Sequence, residues 1–278
     1  MPRPDTDIGP GQPTGHARKP DLLVDRVAVV TGGASGIGRA TALLLAQSGA
    51  RVFVGDYDPL AENAAPFAAA AIVHSVCDVR REDQIEALIE RAADEKGRLD
   101  ILVNCAGVGL VKQITDVTEA EWDACLDTNL KGAFLASKHA IRKMRSGGAG
   151  AIVNIASNAG ILPRAHDPVY SISKAALVAL TKSLALCHAR DKIRVNAVCP
   201  GPVEATRMME ADLASAPDRD AAVRGLMAAS PLVRAHARMI TPEEVARAVL
   251  YLVSDAALMV TGTVLAIDGG KSLGVPPR

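Results

Sequence analysis

Aromatic residues are scarce in this chain. Among 278 residues there are three Tyr, three Phe and one Trp, so each of Tyr57, Tyr170 and Tyr251 is worth placing. A charge excess of either sign is also missing. Lys plus Arg number 31 and Asp plus Glu number 31, a formal net charge of zero. General binders of nucleic acid or anionic membrane carry a basic excess, and that class is excluded. Cysteine is sparse and scattered, at Cys77, Cys105, Cys125, Cys187 and Cys199. There is no C-x-x-C pair and no histidine-rich partner, so neither a metal site nor a disulfide framework is expected. Free thiols fit a reducing compartment, and a cytoplasmic protein is expected. No run approaches the roughly eighteen apolar residues of a membrane span. Residues 1–20 hold five of the sixteen prolines and lack the apolar stretch of a secretory signal. Asp5 and Asp7 count against a transit peptide. This segment is expected to be a disordered tail, followed by one domain over 21–278.

What is present is a chain able to bury a core. Apolar residues make up 49 % and charged residues 22 %, and the length suits a single α/β domain. Short apolar runs alternate with helical patterns from Asp25 onward. Strands are expected at Val27–Val30, Arg51–Asp56, Ile72–Val76, Leu99–Asn104, Ala151–Ala156, Ile193–Val198 and Val264–Ile267. Between them, helices are expected over 36–48, 58–70 (weakened by Pro66 in its middle), 82–96, 119–146, 168–190 and 242–254. Residues 203–230 read as a looser helical region rich in Ala and Met. The strands are apolar throughout rather than alternating, the pattern of a parallel sheet covered on both faces. A doubly wound, seven-stranded parallel sheet in a single domain follows, with ligands at the carboxyl ends of the strands.

Thr31-Gly-Gly-Ala-Ser-Gly-Ile-Gly38 joins the first strand to the first helix. Glycines at 32, 36 and 38 permit a tight turn and let a pyrophosphate approach the backbone and the helix N-terminus. A plain turn is the alternative. Asp56 ends the second strand, where an acid accepts hydrogen bonds from a ribose 2′-hydroxyl. A 2′-phosphate there would meet like charge, and neither Ser35 nor Tyr57 is basic, so NAD is expected over NADP. The other reading of Asp56 is a solvated acid beside the Asp58-Pro59 helix start.

Tyr170 and Lys174 share a helix face at i,i+4 spacing, with Asp167 as N-cap and Pro168 at the first helical position. A phenol titrates near pH 10. A neighbouring ammonium and a cationic nicotinamide would lower that value and make a usable acid/base. A surface tyrosine beside a solvated lysine is the alternative.

Together these residues resemble the short-chain dehydrogenase/reductase family, from about Asp25 to Gly270. The loop at 31–38 matches the family's Thr-Gly-x-x-x-Gly-x-Gly, which implies cofactor contacts at Gly32, Ser35, Gly36, Ile37 and Gly38, with Asp56 beyond. Asp78 and Val79, in Cys77-Asp78-Val79, match the adenine-contacting segment. Asn104-Cys105-Ala106-Gly107 resembles the Asn-Asn-Ala-Gly run, implying contacts at Asn104, Ala106 and Gly107. Pro200-Gly201 is similar to the turn beside the nicotinamide, with Val203 and Thr206 following, and Asp268-Gly-Gly270 matches the C-terminal signature. The resemblance makes Tyr170 the proton donor or acceptor and gives Lys174 the nicotinamide ribose. It gives Ser157 the substrate oxygen and Asn129 a water linking Lys174 to solvent. Taken singly, Ser157 could be a strand-end turn residue and Asn129 a buried helix kink.

Three departures stand out. Cys105 replaces the second Asn. Ala205 stands where the family has Thr, with Thr206 next. About four extra residues lie between Arg234 and Pro242. His166 borders the substrate loop, where a solvated histidine is the plainer reading. Met208, Met209, Leu213, Leu226 and Met227 fall where the family's lid lies, as core filling or as an apolar lid. The implied function is hydride transfer between NAD(H) and a small-molecule secondary alcohol or ketone, by a homo-oligomer (tetramer or dimer). The rivals are an NADP-dependent 3-ketoacyl-type reductase and a non-catalytic nucleotide sensor on the same fold.

Overall fold

Successive residues of each strand point to opposite faces, and both faces here are buried. In β1 (Val27–Thr31) all five residues are buried. Ala28 and Val30 join one apolar cluster while Val27 and Val29 join another. That is why no polar alternation marks the strands. The computed structural model describes residues 22–59, 64–162 and 164–274; the expected tail at 1–20 lies outside them.

Seven parallel strands form one sheet in the order β3-β2-β1-β4-β5-β6-β7. They are β1, β2 (Arg51–Asp56), β3 (Val73–Val76), β4 (Ile101–Asn104), β5 (Gly150–Ile155), β6 (Ile193–Pro200) and β7 (Val264–Ile267). One face is covered by α1 (Gly36–Gln47), α2 (Ala64–Ala69) and α10 (Pro242–Val253), through Leu45, Phe67, Val249 and Leu252. The other carries α3 (Glu82–Asp94) and α5 (Gly132–Gly147), through Ile85, Leu88, Ala136 and Met144. On the same side α6 (Pro168–His188) packs Leu177 and Val178 with Ala197 and Cys199 of β6. Continued to Asp191, α6 has the length and apolarity of a membrane span. Yet it buries Leu177, Thr181 and Ala185 against the body of the protein.

The order reverses between β1 and β4, so the loops after these two strands diverge and open a crevice. Three expected helices change form. The segment 58–70 is helical only over Ala64–Ala69. Pro66 therefore sits in the first turn, where its missing N–H has no partner to lose. The expected helix 119–146 divides into α4 (Glu119–Leu126), a π-helical turn (Asp127–Lys131) and α5. Residues 203–230 resolve into α7 (Arg207–Ser215) and α8 (Arg219–Ala228), with α9 (Pro231–His236) beyond. The extra residues after Arg234 form a turn with Ala237 in the left-handed region at φ +50°, tethered by Arg238 to Glu244 at 2.7 Å.

Candidate active site

A cleft of about 1370 Å³ runs along the carboxyl ends of the strands. Single small-ligand pockets span roughly 300–1,000 Å³, so it has room for a dinucleotide and a second molecule. Gly32, Ser35, Gly36, Ile37 and Gly38 line one end. At Gly38 a Cβ would lie 2.0 Å from the carbonyl oxygen of Gly32, so no larger residue fits this turn. Ser35 is the N-cap of α1 but makes no side-chain capping bond. Its hydroxyl and the first N–H groups of the helix are available to an anion.

Asp56 also lines the cleft. Its Oδ2 accepts the Ala34 N–H at 2.9 Å and its Oδ1 the Asp58 N–H at 3.2 Å. A carboxylate offers about four acceptor sites, so capacity remains for ribose hydroxyls while the loop bonds hold it in place. Two cations invisible to local reading stand nearby. Arg80 makes a forked pair with Asp78, at 2.9 and 2.7 Å, and lies over the Tyr57 ring at 5.7 Å. That pair holds the Asp78 carboxyl below its ordinary range. Arg207, from α7, pairs with Asp58. This end therefore brings three carboxylates together with two arginines, each arginine already paired. The glycine cradle and the spare acceptors of Asp56 fit a dinucleotide.

At the other end lie Ser157, Tyr170 and Lys174. Ser157 follows β5, and its Oγ accepts the Ala159 N–H at 3.1 Å. Its hydroxyl lies close enough to the Tyr170 phenol to oppose the rise that burial imposes there. Asp167 is the N-cap position of α6 with Pro168 next, as predicted. Its carboxylate, however, binds Arg164 at 2.9 Å and the Ser171 hydroxyl at 3.2 Å rather than a backbone N–H. Lys174 is 3 % exposed. Its Nζ donates to the Ile155 carbonyl at 3.0 Å and lies 5.8 Å from the Tyr170 ring centre. Burial pushes the Lys174 ammonium down from its ordinary value. The sequence expects a phenol lowered by this lysine and a bound cationic nicotinamide together. In the protein alone burial pushes Tyr170 up, opposed by the neighbouring Ser157 hydroxyl and the Arg164 charge, while the ammonium is bonded to a carbonyl. Among the described residues no cluster of three or more His, Cys, Asp or Glu is placed to hold a metal.

The family profile described as enoyl-(acyl carrier protein) reductase matches residues 32–272. The cis-4-hydroxycyclohexanecarboxylate dehydrogenase of Sinomonas cyclohexanicum is 42 % identical over 254 residues, 90 % of this chain and 98 % of that one. The NAD-dependent glycerol dehydrogenase of Listeria innocua is 37 % identical over 252 residues, 90 % of this chain and 95 % of that one. A short-chain dehydrogenase/reductase crystal structure from Burkholderia xenovorans gives a TM-score of 0.85 at 34 % identity, covering 92 % of this chain and 99 % of that one. The chain belongs to the short-chain dehydrogenase/reductase family.

Most positions that match the family pattern face the cleft, including Asp78, Val79, Ala106, Gly107, Pro200, Gly201, Val203 and Thr206. Two expected site residues do not. Asn104 is turned into the interior, donating to Asn154 Oδ1 at 2.8 Å and Ser137 Oγ at 3.2 Å. Asn129 is 1 % exposed. Its amide grips both backbone groups of Val108, at 2.8 and 3.0 Å, and donates to Ser173 Oγ at 3.0 Å. Both side-chain amides brace the walls of the site. Asn129 and Lys174 both border the space beside Gly107. A Cβ on Gly107 would lie 3.2 Å from Asn129 Oδ1 and 3.3 Å from Lys174 Nζ.

The departures from the family pattern also acquire reasons. Ala205 adopts a left-handed conformation at φ +53°, which swings Thr206, not Ala205, into the cleft. Thr206 Oγ1 then caps α7 by accepting the Met209 N–H at 3.2 Å. The turn carrying Cys105 is anchored by the Thr31 hydroxyl, which accepts the Cys105 and Ala106 N–H groups at 3.2 and 3.4 Å. Burial pushes the Cys105 thiol up to about 12, so it is no nucleophile at neutral pH. Arg164 and Lys271 line the cleft as well. Neither stands in a periodic or motif position that sequence reasoning could have singled out.

Proposed function

We propose that the protein is an NAD-dependent oxidoreductase that moves a hydride between NAD(H) and a small secondary alcohol or its ketone. The carrying observation is one cleft that holds a glycine cradle with Asp56 at one end and Ser157, Tyr170 and Lys174 at the other. The nicotinamide supplies the hydride chemistry when bound; the protein supplies position and a proton path. Ser157 holds the substrate oxygen. Tyr170 takes the proton from the alcohol, or returns it to the ketone, at its Oη. Lys174 holds the nicotinamide ribose, and the nicotinamide's positive charge, when bound, favours the phenolate. Asn129 and Asn104 position the segments around them.

NAD is favoured over NADP because Asp56, Asp58 and Asp78 outnumber Arg80 and Arg207, and both arginines are already paired. The NAD dependence of the Listeria innocua relative points the same way. A second reading, an NADP-dependent 3-ketoacyl-type reductase, draws on those two arginines. It requires them to leave their carboxylates for a 2′-phosphate. The Ser157, Tyr170 and Lys174 set argues against a nucleotide sensor without catalysis. A cytoplasmic homo-oligomer, dimer or tetramer, completes the proposal, with exposed Trp122, Phe134 and Leu186 as apolar contact surface. The test is nicotinamide absorbance with linear and cyclic secondary alcohols and ketones, NAD and NADP side by side. Turnover with NAD supports the proposal. Binding of NAD with no turnover of any carbonyl or alcohol, or a preference for NADP, refutes it.

A further inference from the structure

Arg164 precedes α6 and Lys271 follows β7, yet both line the same chamber. Arg164 is fixed by two bonds. One nitrogen donates to Asp167 Oδ2 at 2.9 Å and another to Asn158 Oδ1 at 2.6 Å. Lys271 is half-buried, and its ammonium has no hydrogen bond or ion pair with any described residue. The nearby acids are committed elsewhere. Asp167 serves Arg164 and Ser171. Asp268 accepts the backbone N–H groups of Gly270 and Ser272 at 2.9 and 2.8 Å. Asp212, on α7, faces the chamber without pairing either cation, and burial raises its carboxyl. His166 also lines the chamber, exposed. The remaining wall is apolar, from Leu110, Val111, Met208, Met209, Leu213 and Leu226.

An ammonium with no partner among the described residues, on a half-buried side chain beside an apolar wall, is free to pair with a bound anion. An apolar chamber with one uncommitted cation, next to a fixed guanidinium, suits an amphiphilic anion. We infer that the substrate of the proposed hydride transfer, a reading on which this inference rests, carries a carboxylate on an apolar body. Lys271 and Arg164 hold the carboxylate, and the body lies along α7 and α8. A monoanion matches the single free charge. A phosphate dianion would meet Asp212 and Asp167 in the same chamber. The guanidinium provides planar donors suited to a carboxylate, and the ammonium provides a point charge.

The test compares kcat/KM with NAD for 3- and 4-hydroxycyclohexanecarboxylate, their methyl esters and cyclohexanol. A charge-assisted hydrogen bond corresponds to roughly a ten- to hundredfold preference. The acid should exceed its ester by that factor. Lys271→Met should collapse the acid-to-ester ratio and Lys271→Arg should largely restore it, which a merely structural lysine would not do. In a second arm, cyclohexanecarboxylate and cyclohexanecarboxamide are titrated into the protein with NADH bound, read by calorimetry. Tighter binding of the acid, lost in Lys271→Met, supports the carboxylate site even if no alcohol turns over, and then only the hydride-transfer reading fails. Esters and cyclohexanol oxidised as well as the acids overturn the inference while hydride transfer stands. So does an acid-to-ester ratio unchanged by Lys271→Met, or equal binding of acid and amide.

Discussion

Replacing Lys174 by Met should raise the melting temperature and abolish turnover together. The ammonium is 3 % exposed, and no carboxylate pairs with it among the described residues. Taking such an ion out of water costs several kcal/mol even after relaxation. Its bond to the Ile155 carbonyl returns about 1.5–3 kcal/mol. Met fills a similar volume without the charge, so about 1–2 kcal/mol should be gained, net of the lost bond. For a domain of this size that is roughly 2–8 °C. The sign is checked by pH. The folded Lys174 pKa lies below its unfolded value. Between the two, the unfolded chain binds the extra proton, so the penalty fades as pH rises. The gap in melting temperature between variant and parent should therefore be widest near neutrality and narrow toward pH 10.5. The buried thiols act in the opposite sense. Cys77 and Cys199 are pushed up to about 11 and Cys105 to about 12. The stability they give is present below the unfolded thiol range and lost above it. They are shared by both proteins and largely cancel in the difference. Scanning calorimetry of the nucleotide-free proteins from pH 7 to 10 is the assay. A variant that melts lower than its parent at pH 7, or a gap that does not narrow, refutes the reasoning.

Four further outcomes are expected. Tyr170→Phe should lower turnover by roughly 10²–10⁴ and leave NAD affinity in a fluorescence titration near that of the parent; near-normal turnover on a proven substrate would exclude Tyr170 as the acid/base. Asp56→Asn should reduce the preference for NAD over NADP by roughly ten- to a hundredfold, measured as the ratio of kcat/KM values. Asn104→Ala should lower the melting temperature, since it strands the side chains of Asn154 and Ser137 at a cost of about 1–3 kcal/mol; a loss of NAD affinity with no change in melting would restore Asn104 as a direct cofactor contact. Brief alkylation at pH 8 followed by mass spectrometry should label exposed Cys187 and spare the buried Cys77, Cys125 and Cys199; early labelling of Cys199 would contradict its burial.

Features written in short-range pattern were legible in the sequence. The apolar runs that became β1 and β2, the glycine turn at 31–38 and the four-residue spacing of Tyr170 and Lys174 depend on neighbours a few positions away. Strand count and parallel direction followed, because alternating strands and helices leave few ways to cover both faces of a sheet. Helix ends were less legible. Pro66 reads as a break in the middle of a helix until the helix is known to begin at Ala64. The π-helical turn at Asp127–Lys131 adds no signal to an apolar period.

Within the site, the sequence alone determined which chemical groups are present: a phenol, an amine, a hydroxyl, a carboxylate after β2 and glycines where the chain must turn tightly. Only the tertiary structure decided what each of them faces. Asn104 and Asn129 read as site residues but spend their amides on the walls, because Asn154, Ser137, Val108 and Ser173 meet them only after folding. Ala205 and Thr206 are adjacent in sequence, and a single left-handed turn chooses between them. Arg80, Arg207, Arg164 and Lys271 carry no motif; folding brings Arg207 to Asp58 and puts Arg164 and Lys271 on one cleft. Tyr170 was expected to be lowered by Lys174 and a bound nicotinamide together, and in the protein alone burial raises it. An adjacent lysine is a local fact, whereas the dielectric around a side chain and the carbonyl that holds the lysine's charge are set by the whole packed fold.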